Sequence, residues 1–138
     1  MDEDVLSLVV FSGTDDKLQA AAVLTAGAAA LERPVRLFLQ YWGLDAFRKD
    51  RIDRDHGTSP EAGPEGRARM LALRTAGQAT WVETLRQAKE IGQVEIQACS
   101  LSMDLLGLEP EDLDPLVDGV EGVAAFFVAA GGGQILFI

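Results

Sequence analysis

The sequence predicts an α/β fold: a three-layer α/β/α sandwich with a mostly parallel five-stranded sheet. Three observations carry this. Val5-Leu6-Ser7-Leu8-Val9-Val10-Phe11 is a near-continuous apolar run, the pattern of a strand covered on both faces in a parallel sheet. A helix-like segment and a second apolar run, Val35-Arg36-Leu37-Phe38-Leu39, complete the spacing of a βαβ unit. Apolar runs and helical periods then keep alternating to the last residue.

Each element has its local reason. Ser12-Gly13-Thr14-Asp15-Asp16-Lys17 breaks the first strand, with Gly for the turn and Thr or Asp to cap a helix. That helix is expected from about Asp16 to Glu32, its alanines letting the backbone lie close on the sheet. Pro34 punctuates before the second strand. Between Arg48 and Arg69 periodicity fails: charges alternate in sign to His56, and Pro60, Gly63, Pro64 and Gly66 follow. A long solvated excursion is expected there, and such loops are usually lids, interface pieces or disordered.

Helical spacing returns with Met70, Leu71 and Leu73. Trp81, Val82, Leu85, Ala88 and Ile91 then form an apolar stripe opposite Glu83, Arg86, Gln87 and Glu90, with Gly92 as the expected C-terminal cap. Val94 to Cys99 reads as the third strand and Ser100 to Gly107 as a short helix. Glu109 to Leu116 reads as a helical turn or two started by Pro110, and Val117 to Glu121 as a short strand or turn. Val123 to Ala130 reads as a helix stopped by Gly131-Gly132-Gly133, and Gln134 to Ile138 as the terminal strand.

The 138 residues suit one domain, residues 1–138, long enough to fold without disulfides or metal. A net charge of −10 argues against nucleic acid and anionic membrane surfaces as partners. Cys99 is the single cysteine and His56 the single histidine, so neither an internal disulfide nor the usual zinc ligand set is available. No metal and no cofactor are expected. The opening Met1-Asp2-Glu3-Asp4 is acidic where a secretory signal is basic, and Leu18 to Leu31 is too short for a membrane span. A cytoplasmic setting is the expectation.

Ligands of open α/β sheets bind beyond the carboxyl ends of the strands. Those ends are Ser12-Gly13, Gln40-Tyr41-Trp42-Gly43 and Cys99-Ser100, so topology brings the thiol and these segments to one edge. Cys99 precedes a helix that Ser100 or Ser102 could cap, a setting that favours the nucleophilic thiolate. Asp104 would oppose this if close, and Lys17 would offset it if the first helix starts beside the third strand. The competing reading is a buried core cysteine.

The remaining candidates have plainer readings. Asp15-Asp16-Lys17 suits a helix start better than a catalytic set. Tyr41-Trp42 could wall a pocket or pack in a core, and His56 reads as a solvated loop residue. Phe126-Phe127 reads as core unless the chain self-associates there. A rhodanese-type loop needs an arginine five residues after its cysteine, and Asp104 stands there instead. A peroxiredoxin needs an upstream proline and threonine, which Glu95-Ile96-Gln97-Ala98 lacks, and the two-cysteine route also needs a resolving thiol.

Ala98-Cys99-Ser100-Leu101-Ser102-Met103-Asp104-Leu105-Leu106-Gly107 resembles the cysteine motif of the DsrE/DsrF-like family. Asp16-Lys17 with its alanine helix, Phe38-Leu39-Gln40-Tyr41-Trp42-Gly43-Leu44, Asp118-Gly119-Val120-Glu121 and Leu136-Phe137-Ile138 resemble further family segments in order. The resemblance implies a small α/β protein forming homotrimers or hexamers, several of whose relatives carry sulfur as a persulfide on the motif cysteine. It assigns that role to Cys99, with sulfur donor and acceptor proteins as partners. It assigns the segments around Gly13, Lys17 and Trp42 to a pocket wall. Close members carry a Met-rich middle region where this chain has its charged Arg/Asp/Gly/Pro segment, so no shared lid or membrane-facing role carries over.

The resulting expectation is a sulfur-relay protein holding a persulfide on Cys99 and passing it to a partner thiol. Ser12, Gly13, Lys17, Tyr41, Trp42, Gly43, Ser100, Ser102 and Asp104 are the candidate pocket residues. The alternative is a non-enzymatic small-ligand-binding or structural oligomeric protein in which Cys99 only lines the pocket.

Overall fold

The computed structural model describes residues 4–138, and the acidic opening Met1-Asp2-Glu3 lies outside the described residues. The strands are β1 (Leu6–Val10), β2 (Val35–Leu39), β3 (Val94–Cys99), β4 (Gly119–Glu121) and β5 (Gln134–Phe137). They form one sheet in the order β4-β3-β2-β1-β5, parallel at every pairing. The helices are α1 (Asp15–Ala30), α2 (Tyr41–Asp45), α3 (Gly63–Thr75), α4 (Trp81–Ile91), α5 (Ser100–Leu106) and α6 (Val123–Ala130).

Strand alternation divides the sheet into two unlike faces. Leu6, Leu8 and Val10, Leu37 and Leu39, and Ile96 and Ala98 all belong to the main core. α1 contributes Leu18, Ala21, Ala22 and Ala28 to it, and α4 contributes Trp81, Val82 and Leu85. The small alanine side chains let α1 sit close to the strands and to α4. Each fully buried leucine there contributes about 1.5–3 kcal/mol relative to exposure. The intervening residues face the other way. Phe38, Cys99 and Phe126 form a separate small cluster with Val9 against it. Arg36 on that face pairs with Glu95 and with Glu121, the latter at 2.8 Å.

The stretch read as a solvated excursion carries regular structure over its second half. A 3-10 turn at Pro60–Ala62 leads into α3, which starts at Gly63 rather than near Met70. Pro64 sits in its first turn, where a missing N–H costs nothing, and Glu65 pairs with Arg69 at 2.9 Å. α3 buries none of its residues, so it has no apolar stripe to read. The preceding segment is fastened by the first turn of α1: the Asp15 carboxylate accepts from the backbone N–H of His56, and Asp16 accepts from the hydroxyl and N–H of Ser59.

Smaller differences follow from capping. α1 ends at Ala30, two residues short of expectation, because Glu32 adopts φ +60° and cannot extend the helix. Gly92 caps α4 in an extended conformation, not the left-handed one of a glycine cap. The start of α4 is fixed by a capping box between Thr80 and Glu83. Between Glu109 and Leu116 only a 3-10 turn, Pro110–Asp112, is present. Among the described residues no helix is long and apolar enough to cross a membrane.

Candidate functional site

Cys99 is the last residue of β3 and the N-cap of α5, which it caps with no side-chain hydrogen bond. Neither serine does the capping: Ser100 lies inside α5, and the Ser102 hydroxyl accepts a hydrogen bond from the Tyr41 N–H at 3.1 Å. The thiol belongs to the sheet face opposite α1 and α4, because Ile96 and Ala98 claim the other side. It is only 4% exposed. Phe126 of α6 stacks on Phe38 at 4.7 Å between ring centroids, and this pair forms the thiol's immediate apolar surround.

The cover over Cys99 is thin. Of α6's eight residues only Phe126 and Ala130 are buried, and the helix is bracketed by Gly122 and Gly131. Glu121 is the register partner of Cys99 across the β3–β4 pair, yet its carboxylate is turned to Arg36. Asp104 is exposed on α5. Lys17 does not stand beside β3, because β2 lies between β1 and β3 in the sheet. The expected offset of Asp104 by Lys17 therefore has no geometric basis.

The strand-end segments do meet, at the ends of β1 and β2. A Cβ on Gly13 would fall 2.2 Å from the Trp42 carbonyl oxygen, and one on Gly43 would fall 2.2 Å from that of Val10. Only glycine allows both loops to interlock so closely. Tyr41 takes φ +45° at the β2–α2 junction and packs its ring on Phe11 at 5.2 Å. Beside this joint lies a hollow of about 550 Å³ lined by Ser12, Gly13, Lys17 and Trp42 among others. Tyr41, Gly43, Cys99, Ser100, Ser102 and Asp104 are not on its wall.

The hollow also takes residues that sequence reasoning passed over. Arg51, His56 and Ser59 reach its wall because Asp15 and Asp16 draw the charged segment back over the edge of the sheet. Acidic residues in a helix's first turn were the available signal, but nothing in sequence says which loop they hold. Burial works against the charge of Asp16, yet hydrogen bonds led by the Ser59 hydroxyl hold its pKa below the ordinary carboxylate range. Asp55 is likewise held low, first by the N–H of Gly57, with Arg67 adding to the effect. Asp45 on the wall is tied by Arg51 at 2.8 Å and Arg48 at 3.3 Å. A second hollow, about 710 Å³, opens between α3 and the α1–α4 pair, and Arg67–Asp55 is an ion pair on its wall. Among the described residues no group of three or more His, Cys, Asp or Glu is placed to hold a metal ion.

Comparison with known proteins adds to this geometry. A model of the DsrE/DsrF/DrsH-like family matches residues 2–76 and 66–138. The chain is 32% identical to the uncharacterized protein YrkE of Bacillus subtilis, covering 96% of this chain and 95% of that protein. It is 26% identical to the sulfur carrier protein DsrE2 of Allochromatium vinosum, covering 98% of each. Two solved structures share the fold: MTH1491 of Methanobacterium thermoautotrophicum, of unknown function, with a TM-score of 0.57, 16% identity and coverage of 97% and 98%, and ychN of E. coli with 0.56, 14%, 99% and 100%.

Proposed function

The chain belongs to the DsrE/DsrF/DrsH-like family, and we propose that it is a cytoplasmic sulfur carrier working through Cys99. The observation that supports this most is the position of its one cysteine, at the carboxyl end of a central-sheet strand under a lightly seated helix. The name of the A. vinosum relative agrees with that reading.

The chemistry balances with one thiol. The Cys99 thiolate attacks the outer sulfur of a donor persulfide, R–S–SH, forming Cys99–S–SH and releasing R–S⁻. An acceptor thiolate, R′–S⁻, then attacks the outer sulfur of Cys99–S–SH, forming R′–S–SH and regenerating the Cys99 thiolate. No external oxidant or reductant is consumed, and thiol exchange of this kind requires only thiolate character and access. Access is the structural demand, since Cys99 is buried beside the stacked Phe38 and Phe126. The acidic surface favours encounter with basic faces of the donor and acceptor proteins.

Self-association into a trimer or hexamer is part of the same reading. Val123, Phe127, Val128 and Phe137 are exposed on α6 and β5, with Phe127 at 58% and Phe137 at 69%. Apolar exposure of this kind is typical of surfaces that another chain covers. Analytical ultracentrifugation tests it.

The sulfur chemistry is tested by intact mass spectrometry of the reduced protein after brief exposure to a persulfide donor, beside Cys99→Ala. The expected result is a gain of one sulfur atom in the native chain only, removed by reductant. No gain under conditions where the thiol is alkylated would refute the carrier role.

A further inference from the structure

We propose that β5 is a pairing edge, along which two copies of this chain join antiparallel on a two-fold axis into one continuous sheet. This rests on the self-association proposed above and names one of its contacts.

The two edges of the sheet are finished differently. β4 closes one side with three residues and ends on the ion-paired Glu121. β5 closes the other side, pairs with β1 alone, and has all its residues exposed. Gln134-Ile135-Leu136-Phe137-Ile138 holds no charge and no proline, in a chain whose net charge is −10. Charge and proline are the common protections of an open edge, and β5 lacks both.

Backbone alternation locates the unpaired groups. Ile138 donates its N–H to Val9 and its C=O accepts from Phe11, so both groups face β1. Leu136 and Gln134 share that parity, which leaves the N–H and C=O of Ile135 and Phe137 on the outer side. Among the described residues none of these outer groups has a hydrogen-bond partner. An antiparallel register that sets Leu136 opposite itself satisfies them. Ile135 of one copy then faces Phe137 of the other as a hydrogen-bonded pair, and the pattern is its own complement, as a two-fold contact requires.

The side chains fit the same arrangement. Ile135 and Phe137 are the register partners of Ser7 and Val9, so they lie on the side of the sheet that α6 covers. Phe127 and Val128 of that helix are exposed as well. A two-fold axis perpendicular to the sheet keeps like faces together, so apolar residues meet apolar residues. Covering them on both chains removes on the order of 1,000 Å² of surface, the least that a specific pair of proteins needs. A strand from any protein would satisfy the backbone, whereas a second copy also matches these side chains and brings no charge to the edge.

The test combines sedimentation velocity of the full chain with amide hydrogen exchange at low and high protein concentration. The expected result is an even-numbered assembly in which the Ile135 and Phe137 amides exchange at least about tenfold more slowly than in the dilute chain. Ile135→Pro removes an outward N–H and spares the bonds to β1, so it should halve the assembly. Leu136→Lys sets like charges opposite each other on the axis and should do the same. Melting of both variants at the temperature of the dilute native chain would show that the loss is not loss of fold. Edge amides that exchange equally fast at both concentrations, or an assembly unchanged in Ile135→Pro, would overturn the proposal. An odd-numbered assembly with freely exchanging edge amides would overturn it alone, and a chain monomeric at every concentration would overturn the self-association with it.

Discussion

On one face of the sheet Leu6, Leu8, Val10, Leu37, Leu39 and Ile96 lie wholly beneath α1 and α4, whereas on the other Phe38 and Cys99 are covered through Phe126 of α6. The first face holds apolar side chains packed from both sides. The second holds a small aromatic cluster beside the Arg36–Glu95–Glu121 ion pairs, with Ser7 buried and its hydroxyl without a hydrogen-bond partner. Within the single chain Phe127 and Val128 of the covering helix are exposed. One face completes the fold within the chain, and the other covers the thiol with a helix of which only Phe126 and Ala130 are buried. The proposed thiol chemistry thus lies on the side of the strands opposite the main core.

The sharpest way to break this contrast is to truncate each side in turn. Leu37→Ala, in the closed face, should destabilise the protein by about 2–5 kcal/mol in equilibrium denaturation, from lost burial and an unfilled cavity. Phe126→Ala should cost less than the usual 3–5 kcal/mol for such a change, because α6 is peripheral. It should instead raise the alkylation rate of Cys99 about tenfold or more. Equal losses of stability with no change in labelling would mean that both faces are equally integral to the fold.

The ion pairs of the second face give an intermediate effect. Arg36→Ala leaves Glu95 and Glu121 without their shared cation, while the Glu121 side chain is only 14% exposed. A loss of about 2 kcal/mol is expected, below the 3–5 kcal/mol of a fully buried pair because Glu95 is half-exposed. Equilibrium denaturation at neutral pH measures it, and a loss under 0.5 kcal/mol (about the value of a surface pair) would place these charges in solvent.

The smallest effect concerns the fastening of the charged segment. Asp16 has a folded pKa below its ordinary value of 3.8, so its contribution is fully present above that value and is lost as pH falls through the folded pKa. Asp16→Asn should remove this part of the acid dependence, at a cost below about 1 kcal/mol after solvent screening. Unfolding curves between neutral and acid pH that run parallel for the two proteins would contradict the assigned role.

How much of this was legible in sequence depends on how local the signal is. β2 and β3 were readable to the residue, because an apolar run stopped by Gln40 and an alternating one stopped by Ser100 need no knowledge of distant partners. The start of α3, before Met70, was hidden because a helix that buries nothing offers little periodicity, and its glycines and Pro64 imitate a loop. The parity of Val94 to Cys99 already separates Cys99 from Ile96 and Ala98, so the face of the thiol was available from alternation alone. What covers it was not, since Phe126 reaches Cys99 through a long return from β4 past β3, β2 and β1 to β5. His56 and Ser59 joined the hollow through hydrogen bonds to Asp15 and Asp16 that span about forty residues, and no local pattern encodes such a contact.

The most direct test of the account is the rate of Cys99 labelling in native protein as a function of denaturant well below the unfolding transition. Opening of α6 alone predicts labelling with little denaturant dependence, at a free energy several kcal/mol below that of global unfolding. Labelling whose free energy and denaturant dependence both equal those of global unfolding would contradict it, and would make Cys99 a core residue with no route to a sulfur donor.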